Sequence, residues 1–210
     1  MLKKPLNAVD GETLWDLELG PQQFCIKGLL PKGLCALGGA SKIGKSWLVL
    51  DWCIRIARGE PIWGMETRLG ATLYLCLEDT LQRVQHRINR VSDEATPNAH
   101  FATAAGTLAD DLEEQVSSFL LLHPDTVLIV VDTFQMARGD SGDPSYAGDY
   151  QDMQKLKRIA DDNNLTILLV HHLRKQLMNL WKENLRELGL TFRSYRSNGQ
   201  RLVDVQYTDQ

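Results

Sequence analysis

Eight consecutive residues, Gly39, Ala40, Ser41, Lys42, Ile43, Gly44, Lys45 and Ser46, reproduce the spacing Gly-x4-Gly-Lys-Ser without departure. Each position has a chemical reason. Glycines at both ends let a short loop curl until its amides converge on an anion, and a helix starting there adds positive potential. Lys45 would reach the β- and γ-phosphates of a nucleoside triphosphate, and the Ser46 hydroxyl would hold Mg²⁺. With average residue usage, a chain of this length matches by accident in about 1% of cases.

Such a loop needs further groups to do chemistry. A second Mg²⁺ anchor is expected at the end of a neighbouring strand. The run Val127-Leu-Ile-Val-Val-Asp132 supplies an apolar strand ending in a carboxylate, which is either that anchor or an ordinary strand-end acid. Hydrolysis also needs a carboxylate to activate water. Thr133, not Glu, follows Asp132, so this group must come from elsewhere. Glu78 is the candidate, at the end of an apolar run and 33 residues after Lys45. Glu78-Asp79-Thr80 can also cap the next helix, and both roles can coexist. His171-His172 ends another apolar run. It is either a satisfied polar pair near the surface or a sensor that hydrogen-bonds the γ-phosphate.

Periodicity supplies the elements that would carry these residues. Leu34–Leu37 is a short apolar run before the Gly38-Gly39 turn. Leu48, Trp52 and Ile56 recur at helical spacing within Lys45–Arg58. Strand-like runs follow at Ala71–Leu77, Phe101–Ala104, Val127–Val131 and Leu165–Val170. Helical patterns lie between them at Leu81–Val91, Leu108–Leu122 and Tyr150–Asp161, with a polar, Gly-rich loop at Gly139–Gly148. The first 30 residues show no strong period. Strands alternating with helices predict an α/β fold with a mostly parallel sheet flanked by helices. After it, residues 177–188 read as an amphipathic helix, and Ser197-Asn-Gly199 marks a β-hairpin.

Composition agrees with one globular unit. The 210 residues are 43% hydrophobic and 24% charged, with a formal net charge of −4. No apolar run approaches the roughly 20 residues of a membrane helix. Met1-Leu-Lys-Lys-Pro5 does not open a secretory signal, and Cys25, Cys35, Cys53 and Cys76 form no Cys-x-x-Cys pair, so a reducing cytoplasm without structural zinc is expected. The last 39 residues carry seven basic and four acidic residues. Arg174, Lys175, Lys182, Arg186, Arg193, Arg196 and Arg201 interleave there with Trp181, Phe192 and Tyr195. That suits phosphate contacts, or a solvated face over packed aromatics.

Four segments in this order are specific: Gly38-Gly-Ala-Ser-Lys-Ile-Gly-Lys-Ser-Trp-Leu48, Leu73-Tyr-Leu-Cys-Leu-Glu-Asp79, Leu128-Ile-Val-Val-Asp-Thr-Phe-Gln135 and Leu168-Leu-Val-His-His-Leu-Arg-Lys175. Over about residues 20–176 the chain resembles RecA-like P-loop ATPases of the AAA family, more closely the hexameric replicative helicase type of plasmids, phages and integrative elements. The resemblance implies a RecA-like ATPase core over residues 1–176, ATP and Mg²⁺ as ligands, and Glu78 as catalytic glutamate beside Lys45. It makes Asp132 the Walker B acid and His172 the γ-phosphate sensor, with His171 just before it. It also implies a homo-oligomeric ring and single-stranded DNA as partner in replication of a mobile element. An ATP-binding module that hydrolyses poorly, or a recombination-type ATPase, is the alternative. The pattern departs after the sensor strand. Where relatives continue with more strands, this chain runs from Lys175-Gln176 into the helix and hairpin of residues 177–210, a winged-helix-like remnant.

Overall fold

The computed structural model describes residues 8–138, 146–172, 190–197 and 200–207. A short helix, α1 (Gly11–Asp16), precedes a two-stranded ribbon, β1 (Phe24–Ile26) and β2 (Leu30–Pro31). The main body follows as β3 (Gly33–Gly39), α2 (Lys45–Arg58), β4 (Ala71–Cys76), α3 (Leu81–Val91), β5 (Ala99–Ala102), α4 (Leu112–Leu122), β6 (Thr126–Asp132), α5 (Phe134–Arg138), α6 (Tyr146–Asp162) and β7 (Thr166–His172). Five strands form one sheet in the order β3-β7-β6-β4-β5, with every pairing parallel. The expected α/β architecture is therefore present.

Alternation along the central strands sorts their side chains to two faces. Tyr74, Cys76, Leu128, Val130, Leu168 and Val170 join a buried cluster with Val49, Leu50, Cys53 and Ile56 of α2 and Val84 of α3. Leu73, Leu75, Ile129, Val131, Ile167 and Leu169 join another with Val116 of α4, Phe134 of α5 and Leu156 and Ile159 of α6. Strands covered on both faces read as unbroken apolar runs, which is why β6 and β7 were plain in the sequence. Among the described residues, no helix is long and apolar enough to cross a membrane.

The helices α2 and α3 have the bounds that periodicity predicts. Other elements differ. Residues 108–111 form a turn before α4, held by the Leu108 amide on the Ala137 carbonyl. The short strand near residue 101 runs over Ala99–Ala102. Helix α6 begins at Tyr146, so Ala147 and Gly148 are helical rather than part of a loop, while residues 139–145 lie outside the described residues. Among its described side chains, the buried ones of α6, Leu156, Ile159 and Ala160, lie in its C-terminal half, and the sequence Tyr146-Ala-Gly-Asp149 of its first turn carries no apolar period. Helices α1 and α5 are too short to carry a period at all. The hairpin is present as β8 (Leu190–Ser197) and β9 (Gln200–Tyr207), antiparallel and in register from Leu190↔Tyr207 to Ser197↔Gln200. The predicted helix over 177–188 lies outside the described residues, as do Arg174 and Lys175.

Leu128 is fully buried at the centre of the sheet. Leu128→Ala should lower unfolding free energy by about 2–5 kcal/mol, read as a shift of the urea midpoint at constant slope.

Candidate nucleotide site

The parallel register brings the ends of four strands to one edge. Gly39 at the end of β3 pairs with His172 at the end of β7, and Asp132 at the end of β6 lies between Val170 and Cys76. Edges of this kind, at the carboxyl ends of parallel strands, are where ligands bind in open α/β sheets.

From β3 the chain passes through residues 40–44 and enters α2 at Lys45. Gly44 has φ +98°, a left-handed conformation that side chains resist. At Gly39 an added Cβ would run into the Ile43 side chain, 2.6 Å away, and stand 3.5 Å from Lys45 Cδ. The turn therefore calls for glycine at Gly44, whereas a side chain at Gly39 would have to push aside the tip of the exposed Ile43 side chain. Ser41, Lys42 and Ile43 are exposed along its outer curve.

Lys45 is 6% exposed. Its Nζ donates to the Gly39 carbonyl at 2.9 Å and the Ala40 carbonyl at 2.8 Å, and lies 3.2 Å from His172 Nδ1. An ammonium has no lone pair, so His172 Nδ1 is the acceptor and the ring proton sits on Nε2. Burial holds the Lys45 pKa below the ordinary lysine value, while the charges of Asp132 and Glu78 act in the opposite direction.

Asp132 is equally buried, and its Oδ2 accepts from the Tyr74 hydroxyl at 2.6 Å. Glu78, two residues beyond β4, is exposed and accepts at Oε1 from the Thr133 hydroxyl at 2.9 Å. Thr133 is itself buried. Thr80 caps α3, its hydroxyl accepting from the Arg83 amide. Asp79 instead pairs with Arg83 and Arg87. The segment thus divides its work: Thr80 starts the helix, Asp79 ties it down, and Glu78 faces the other residues of the edge.

Lys45, Asp132, Glu78 and His172 are brought together. His171 is not: neighbours along a strand point to opposite faces, and its ring lies 6.4 Å from Phe134 instead. Two groups of the site escaped the sequence reading, the hydroxyls of Tyr74 and Thr133. The signal for Tyr74 was a lone phenol in an aliphatic strand. The signal for Thr133 was a hydroxyl where a second acid is often found.

The chemistry of the donor set suits a small hard cation. A hydroxyl at Ser46 and a carboxylate at Asp132 are oxygen ligands, and Mg²⁺ takes one or two such groups, completing its shell with phosphate oxygens and water. The curled loop, the buried ammonium and the two acids stand together at this edge of the sheet.

No curated protein matches the chain significantly. A family model described as AAA domain matches residues 5–178, most of the chain and all of the main sheet. The chain belongs to this family of AAA-type P-loop ATPases.

Proposed function

We propose that the protein binds Mg²⁺-ATP at the loop Gly39–Ser46 and hydrolyses it. The observation that carries this reading is the convergence of Lys45 at the start of α2, Glu78 beyond β4, Asp132 at the end of β6 and His172 at the end of β7 at one sheet edge. In this assignment Gly39, Ala40, Ser41, Lys42, Ile43 and Gly44 wrap the phosphates. Lys45 leaves its carbonyl partners for the β- and γ-phosphate oxygens and offsets the charge that builds on them in the transition state. Ser46 and Asp132 hold Mg²⁺, which neutralises phosphate charge when bound. Glu78 takes a proton from the attacking water. His172, with its proton on Nε2, is a donor that can follow the γ-phosphate and its loss.

The order of the four motifs supports the finer reading, a helicase-type ATPase coupled to single-stranded DNA during replication of a mobile element and working as a homo-oligomeric ring. Residues 1–176 are then the motor core, and residues 177–210 an appendage that includes the hairpin of β8 and β9. The basic residues of that tail suit nucleic-acid phosphates.

Turnover with and without single-stranded DNA tests the whole proposal. Lys45→Ala should abolish nucleotide binding and hydrolysis together, whereas unchanged turnover in that variant would sink the assignment. Glu78→Gln should keep nucleotide affinity and lose about 10²–10⁴-fold in kcat. Binding without turnover in the unaltered protein would favour a nucleotide-held switch over a motor. Thr133→Val should lower kcat about tenfold by releasing Glu78, with KM for ATP nearly unchanged, because small misplacements of a reacting group are costly. A proportionate rise in KM would instead place Thr133 in substrate binding.

A further inference from the structure

Tyr74 is almost wholly buried in the middle of β4, in a strand otherwise made of aliphatic, Thr and Cys side chains. The register Tyr74↔Val130 and Cys76↔Asp132 puts Tyr74 and Asp132 on the same sheet face as diagonal neighbours. The phenol reaches across to Asp132 Oδ2 at 2.6 Å, the length of a charge-assisted O–H···O⁻ bond. The Tyr74 hydroxyl oxygen also stands 3.5 Å from the Ser46 main-chain carbonyl, in the first turn of α2. Its ring is fixed edge-on against Phe101, at 6.3 Å between centroids.

One hydroxyl thus stands between the two residues assigned to the metal. An aspartate carboxylate can rotate, and a hydrogen bond to one oxygen fixes its plane while leaving the other oxygen for a cation. Partners of this kind, one step behind a ligand, tune metal affinity by about 10–100-fold. Resting on the Mg²⁺-ATP reading above, we propose that Tyr74 is a positioning residue for the metal: it locks the Asp132 carboxylate at a set spacing from Ser46, so that the cation meets both oxygen donors already placed. Tyr74 touches neither nucleotide nor reacting water in this arrangement. Its effect runs through Asp132 alone.

The test is Mn²⁺ binding, followed by electron paramagnetic resonance, in the presence of a non-hydrolysable ATP analogue. Tyr74→Phe removes the hydroxyl and keeps the ring. It should weaken Mn²⁺ by about tenfold or more, while affinity for the analogue in excess EDTA stays within about twofold. Phe101→Leu loosens the packing around the ring but keeps the hydroxyl, so it should lower the melting temperature and leave Mn²⁺ affinity as it was. Unchanged Mn²⁺ affinity in Tyr74→Phe overturns the proposal, whatever happens to stability. So does a Tyr74→Phe protein that no longer melts cooperatively, because the hydroxyl would then be serving the fold. Failure of the unaltered protein to bind analogue at all is a separate result, and it would remove the nucleotide reading itself.

Discussion

Placing a lysine ammonium where solvent barely reaches it is costly unless oxygen atoms or opposite charges compensate. Lys45 meets that demand with two carbonyls of its own loop and the ring nitrogen of His172. Much of the local structure follows. The loop must turn back so that the Gly39 and Ala40 carbonyls face inward, which calls for glycine at Gly44. β7 must lie beside β3, and end level with it, for His172 to arrive. Asp132 at the end of β6 and Glu78 beyond β4 lie close enough for their charges to favour the ammonium against the burial that disfavours it. These bonds keep the buried ammonium paired by the chain's own atoms.

The two acids are divided between two strands. Asp132 closes β6, and Glu78 follows β4, its hydrogen-bonded neighbour. Each acid is gripped by a hydroxyl from the other strand: Tyr74 of β4 holds Asp132, and Thr133 beyond β6 holds Glu78. The two contacts cross. A shift of one strand past its neighbour would disturb both acids at once, so the register of β4 against β6 is part of the site's chemistry.

The phosphate loop, helices α2 and α3 and the buried strands were legible because each is signalled locally, by a motif or by a period. The edge residues Glu78, Asp132 and His172 were legible because parallel strands put their ends on one side. Between His171 and His172, the family resemblance pointed to His172; periodicity alone did not, since that depends on which face of β7 looks toward the loop. Tyr74 escaped because its partner lies 58 positions away in sequence, and only register makes them diagonal neighbours. Helix α5 escaped because five residues hold no period, and its buried Phe134 and Ala137 take their role from neighbours distant in sequence.

β3 has a mechanical consequence as well. Within its sheet it is the end strand, bonded to β7 on one side. Among the described residues no strand pairs with its other edge, so within the sheet β7 alone holds the strand that leads into the loop. Gly39 at the tip of β3 and His172 at the tip of β7 are paired in register, and each supplies a partner to the Lys45 ammonium. Sliding β3 along β7 would therefore pull two of those partners apart, which makes this one strand pairing the gauge that sets the ammonium's position.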